Sequence, residues 1–166
     1  MPIYLVRHAH AVTEKENPSR PLSERGRDEV RRLADFFRSN ALFQPTQIWH
    51  SPLVRARETA ERLRVGLMID APLVEVPGLL VEDDPHEISA RLATLDSSIG
   101  VALVGHEPHL SALATLLMRG KPKPTAVEMK KGAILALKRT EHVHKKTGDS
   151  RWVALWLVVP ELIREK

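Results

Sequence analysis

Apolar residues along this chain recur with two alternating periods. Ile3–Arg7 is a short apolar run that stops at a charge, the pattern of a buried strand. Residues 8–22 are polar and interrupted by Pro18 and Pro21, so they read as a loop. Ser23 then suits a helix N-cap, and Val30, Leu33, Ala34 and Phe37 fall at the spacing of one buried helical face, predicting a helix to about Ser39. Gln47–His50 predicts a brief strand. Ser51-Pro52 resembles a cap followed by proline at the first helical position, opening a helix to about Arg64. Leu73–Val76 is a weaker strand. Asp84-Pro85-His86-Glu87 repeats the cap-plus-proline signal and places an acid where a capping box has one, starting a helix to about Leu95.

Ile99–Val104 is the strongest buried-strand signal, closed by Gly105. Pro108 marks the next helix, with Leu110, Leu113, Ala114 and Leu117 on its inward side. After the Lys121-Pro-Lys-Pro break, Gly132–Lys138 and Arg151–Val159 read as two strands joined by a polar stretch that contains Gly148. Strand and helix alternate up to Met118, which calls for helices on both faces of a mostly parallel sheet. The late strands close it as an antiparallel pair. The expected fold is a three-layer α/β/α sandwich forming a single domain over 1–166.

Length and composition narrow this further. At 166 residues the chain is too short for a (β/α)₈ barrel, which takes roughly 200 residues or more. It contains no cysteine, which excludes disulfides, thiolate metal sites and a thiol nucleophile. The start lacks the basic-then-apolar pattern of a secretory signal, and no apolar run reaches about 18 residues, so a cytoplasmic protein without membrane attachment is expected. The net charge of +4 is unevenly placed: residues 121–166 hold eleven Lys and Arg against five Asp and Glu. Few aromatic residues interleave with those charges, so a solvated face or a docking surface for an acidic protein fits them better than nucleic acid.

In an open α/β sheet, ligands bind beyond the carboxyl ends of the strands. Three such ends carry unusual chemistry here: Arg7-His8-Ala9-His10, His50-Ser51-Pro52 with Arg55 just beyond, and Gly105-His106-Glu107-Pro108-His109. Arginine suits bidentate contact with phosphate oxygens, and helix N-termini add oriented N–H groups. Two arginines and two histidines brought to one edge describe an oxyanion site with a nitrogen nucleophile.

These segments also carry a resemblance. LVRHAHA resembles the RHG signature of the histidine phosphatase superfamily, SPLVRARETA its second arginine motif and VGHEPHLS its second histidine motif. RPLSERG, KKGAI and a final Trp- and Leu-rich strand ending at proline are similar to the small SixA-like phosphohistidine phosphatases, in order and over nearly the whole chain. The resemblance implies an α/β/α sandwich without a large cap domain, and a phosphatase that works without metal or other cofactor through a phosphohistidine on His8. It implies that Arg7 and Arg55 clamp the phosphoryl oxygens, that His106 donates to them, and that Arg20 reaches the same pocket. His10 lies either on the pocket rim or in a solvated loop. Inorganic phosphate or sulfate is expected to fit the site.

Two positions depart from the pattern. Ala9 stands where the family has glycine, which bears on a positive φ or a close backbone approach. Mutase-like relatives carry a glutamate general acid, for which Glu82 is the nearest candidate by spacing; the Glu82–Asp84 cluster serves equally well as a helix-cap complement. Expelling an alkoxide, with a conjugate acid near pKa ~15.7, demands a proton donor. Expelling imidazole, with a conjugate acid near ~6.5, demands far less. An arginine-rich site without a dedicated acid therefore suits P–N bonds, such as a phosphohistidine on a histidine phosphotransfer protein. Three other readings stay open: a small-molecule phosphomonoesterase, a non-catalytic phosphate-binding module, and a metal hydrolase built on His8-x-His10 with His109 and carboxylates.

Overall fold

The computed structural model describes residues 1–143, 145–146, 148 and 150–163. Its strands are β1 (Ile3–Arg7), β2 (Gln47–His50), β3 (Leu73–Glu75), β4 (Val101–Gly105), β5 (Ile134–Val143) and β6 (Ser150–Val158); its helices are α1 (Glu24–Asn40), α2 (Val54–Leu67), α3 (Pro85–Thr94) and α4 (His109–Arg119), with a 3₁₀ turn at Pro160–Leu162. The six strands form one sheet in the order β3-β2-β4-β1-β5-β6. β3, β2, β4 and β1 run parallel, while β5 lies antiparallel to both β1 and β6.

Side-chain alternation along the strands divides the core. Tyr4 and Val6 of β1, with Ala102 and Val104 of β4, pack on Val30, Leu33 and Phe37 of α1 and on Ala60 and Leu63 of α2. Ile3, Leu5, Val101 and Leu103 point the other way, onto Ile88 and Leu92 of α3 and onto Leu110, Leu113 and Leu117 of α4. Strand residues feeding both faces leave a sheet buried between two helical layers, the three-layer sandwich expected from the sequence. Among the described residues no helix is long and apolar enough to cross a membrane.

Ser23 caps α1, its hydroxyl accepting from the Gly26 amide, and Asp84 caps α3 by accepting from the His86 amide. Ser51 does not cap a helix. α2 starts three residues later, behind Leu53, because the Ser51 side chain is engaged across the sheet with His106. β5 begins at Ile134 and continues to Val143, past the predicted end at Lys138, because β6 pairs with its outer half. The stretch between them includes positions outside the described residues.

Candidate active site

β1 and β4 are adjacent and parallel, so their carboxyl ends deliver His8 and His106 side by side, with ring centroids 5.1 Å apart. The sheet continues to hold the chain just past β1. The His8 amide donates to the Gly105 carbonyl at 3.1 Å, and the Gly132 amide donates to the Arg7 and His8 carbonyls, each at 3.1 Å. Gly132 has φ +73°, and a Cβ there would lie 2.7 Å from Pro160 Cγ, so both conformation and space require glycine.

Beyond His8, three contacts brace the loop. The Ala9 amide donates to Thr59 Oγ1 at 3.2 Å, and that hydroxyl donates to the Arg55 carbonyl at 2.7 Å, tying the loop to the first turns of α2. The His10 amide donates to Glu29 at 3.0 Å, a carboxylate buried inside α1 that also takes Arg25 Nε at 2.8 Å. The His10 carbonyl accepts from the Ser23 amide at 3.0 Å. Gly26 makes this approach possible: a Cβ at that position would sit 1.9 Å from the His10 oxygen. Ala9 needs no glycine-like conformation. Among the described residues the non-glycine ones with positive φ are Arg20, Ala41 and Met68, and the Ala9 methyl is buried in the core.

The protonation states follow from these surroundings. His8 Nδ1 lies 2.7 Å from the Ala9 carbonyl, an acceptor only, so Nδ1 carries the hydrogen and Nε2 keeps its lone pair. Burial pushes His8 down to about 3, helped by His106, Arg55 and Arg7 and opposed by the Ala9 bond. His106 is pushed down to about 4, first by burial and then by Arg55, His109, Arg7 and Arg20. Both rings are therefore neutral at physiological pH. Arg7 holds the Met129 carbonyl through Nη1 at 2.7 Å, while its Nε is buried without a partner among the described residues, as are Arg55 Nε and His106 Nδ1. Burial and the nearby Arg20 lower the proton affinity of Arg55, as expected where guanidinium groups crowd together. Buried donors without acceptors, on side chains that bear or adjoin positive charge, fit a tetrahedral oxyanion.

Arg7, His8, Arg55 and His106 thus come together, with Arg20 close enough to act on both Arg55 and His106; Arg20 Nε also holds the Val12 carbonyl at 3.2 Å. His10 is half-buried, its Nδ1 2.7 Å from Ser23 Oγ, so it braces the loop. Glu82 is exposed in the turn before α3, where Asp83 and Asp84 take the Leu80 and His86 amides. Among the described residues no group of three or more His, Asp or Glu side chains converges in a way that could hold a metal ion. Ser51, Thr59, Glu29 and Gly26 were not singled out as site residues from sequence. Their spacings to their partners give no local signal, although Ser51 and Thr59 lie within the SPLVRARETA motif itself.

The sequence model of the histidine phosphatase superfamily (branch 1) matches residues 3–80, which contain the first three arginine and histidine positions of the site. None of the curated proteins matches the chain. Among solved structures of this fold, the protein histidine phosphatase SixA complexed with tungstate is 23% identical, with 99% of this chain and 100% of that chain covered at a TM-score of 0.81. The alpha-ribazole phosphatase from Shigella flexneri is 16% identical (91% of this chain, 95% of that chain, TM-score 0.68). The mycobacterial glucosyl-3-phosphoglycerate phosphatase in complex with VO3 is 17% identical (93% and 97%, TM-score 0.65).

Proposed function

We propose that this chain is a member of the histidine phosphatase superfamily, a phosphatase that needs no metal ion, passes the phosphoryl group through His8, and acts on phosphohistidine carried by a protein such as a histidine phosphotransfer domain. The observation that carries this reading is a neutral imidazole with a bare Nε2 beside two arginines whose buried Nε groups lack acceptors among the described residues. The His8 Nε2 lone pair forms a bond to phosphorus as the bond from phosphorus to the substrate nitrogen breaks. That electron pair stays on the departing imidazole. Water then attacks the phosphorylated His8, releasing inorganic phosphate and restoring Nε2. The guanidinium groups of Arg7 and Arg55, together with His106, stabilise the charge on the transferring group, which is most of what phosphoryl transfer asks of a protein. A likeness to a tungstate-bound neighbour is consistent with oxyanion binding at this edge.

The P–N preference rests on the absence of a carboxylic acid committed to the leaving group: Glu82 is exposed, and the Glu107 carboxylate accepts from the Ser111 amide and hydroxyl in the first turn of α4. A protein-borne substrate is favoured by the loop before β5. Lys130 and Lys131 directly follow Met129, whose carbonyl Arg7 holds, so a basic rim borders the site. A cytoplasmic location matches such a signalling substrate.

One observation favours a second reading, hydrolysis of small phosphate esters. Burial pushes the Glu107 carboxyl up, within electrostatic reach of Arg7, where a proton donor for an alkoxide would be useful. The two readings are separated by assaying wild type, His8→Ala and Glu107→Gln on a phosphohistidine protein, a phosphoserine protein and an aryl phosphate, all in chelator. The first reading expects turnover strongest on phosphohistidine, lost in His8→Ala and retained in Glu107→Gln. Equal turnover of phosphohistidine and phosphoserine, slowed on the ester in Glu107→Gln, would replace it with the second.

A further inference from the structure

Ser51 is completely buried one residue beyond β2, and its amide donates to the Val104 carbonyl at 3.1 Å, so the parallel ladder with β4 continues up to it. The ladder brings its hydroxyl to 2.6 Å from Nε2 of His106, a ring that is itself buried. The same oxygen accepts from the Leu53 amide at 3.2 Å. Either the hydroxyl donates to a bare Nε2, or Nε2–H donates to an oxygen that already accepts from Leu53. In the second arrangement the serine hydrogen has no acceptor among the described residues. The first satisfies the Ser51 hydroxyl, His106 Nε2 and the Leu53 amide together, and leaves only Nδ1–H open.

We infer that Ser51 sets the tautomer of His106: its O–H donates to Nε2, so Nδ1 carries the ring hydrogen and is the donor offered to the phosphoryl group. Nδ1 is the nitrogen left without a protein partner, on an imidazole flanked by Arg55, Arg7, Arg20 and His109. The three guanidinium groups offer no acceptor and neither ring nitrogen of His109 is bonded to any group among the described residues, whereas an oxyanion supplies an acceptor. With the opposite tautomer, the Nδ1 lone pair would face the oxygens of that anion, and the site would lose one donor while keeping its shape. Ser51 is thus a positioning residue. It touches no reacting atom and acts by orienting the proton on the residue that does.

This inference rests on the role given to His106 under the proposed function, and its first test is independent of any substrate. In protein labelled with ¹⁵N-histidine, a two-bond ¹H–¹⁵N spectrum reports which ring nitrogen is protonated, with His106 assigned by comparison with His106→Asn. The expected result for wild type at neutral pH is a protonated Nδ1 and a bare Nε2, lost or mixed in Ser51→Ala. The second test is turnover. Ser51→Ala should lower kcat on the order of 10- to 100-fold, short of deleting a transition-state donor outright, with KM little changed, and Ser51→Thr, which keeps the hydroxyl, should recover most of the loss. A protonated Nε2 in wild type overturns the inference, as does a Ser51→Ala enzyme with full kcat. If Ser51→Ala does not fold, the wild-type spectrum alone decides. The expected spectrum in a protein that hydrolyses no phosphate would sink the phosphatase reading while leaving the tautomer assignment standing.

Discussion

Replacing Gly26 with alanine tests whether the first turn of α1 sets the position of the nucleophile loop. The added methyl would start 1.9 Å from the His10 carbonyl oxygen and 2.9 Å from its carbon, where ordinary contact begins at 3.4 Å. The obstruction is backbone on both sides, so no side-chain rotation relieves it. Either α1 or residues 8–10 must retreat by more than about an ångström, a displacement of the overpacking kind that costs about 1–3 kcal/mol. The retreat also stretches the bonds from the Ser23 amide to the His10 carbonyl and from the His10 amide to Glu29, each worth about 0.5–1.5 kcal/mol. The total is about 2–6 kcal/mol, which for a chain of this size lowers Tm by roughly 10 °C. His8 lies two residues upstream, and a misplacement of about 1 Å at a reacting group costs on the order of 10²-fold in rate. Thermal unfolding followed by circular dichroism, with kcat/KM on an aryl phosphate below Tm, measures both effects. A variant melting within about 2 °C of wild type with undiminished kcat/KM would refute the claim that this contact is tight.

Three further outcomes follow from the same geometry. His8 and His106 titrate near 3 and 4 in the folded chain, below the ordinary 6.5, so as pH falls from about 6.5 the unfolded chain takes up protons first. Stability therefore drops through that window, at about 1.36 kcal/mol per unit of depression for each group; urea midpoints at pH 7 and pH 4.5 should differ less in His8→Asn than in wild type. Arg7→Ala should lower kcat/KM on the order of 10²-fold or more, with no recovery on adding divalent ions, because it removes a clamp that the proposed function places on the transferring oxygens. Glu29→Gln should cost about 1–2 kcal/mol in chemical denaturation and slow turnover severalfold, since it removes the charge that holds the His10 amide from inside α1.

The sheet and its helices were legible in the sequence because each element carries its own periodicity. Val30, Leu33, Ala34 and Phe37 announce the buried face of α1 without reference to any other segment, and they lie in the core as expected. That Arg7, His8, Arg55 and His106 come together was legible because a parallel sheet gathers strand ends, so motifs far apart in sequence could be assigned to one edge. The supporting contacts were not. Ser51-Pro52 has the local form of a helix cap, and nothing nearby shows that the hydroxyl is bonded to a ring 55 residues away. Glu29 sits on the apolar face of α1, where a carboxylate looks misplaced until the His10 amide is brought against it. Thr59, inside α2, bonds a carbonyl four residues back and an amide 50 residues away at once, and only the first is a local pattern.

The backbone around His8 is bonded on both sides, to Gly105 on β4 and to Gly132 at the entrance to β5. The nitrogen proposed to react thus sits on backbone held from the middle of the sheet, while Lys130, in the loop that borders it, is exposed. If the proposed function holds, the exposed Lys130 side chain is the place to engineer new selectivity, whereas Met129 and Gly132 of the same loop are bonded to Arg7 and His8 and are the places to leave alone.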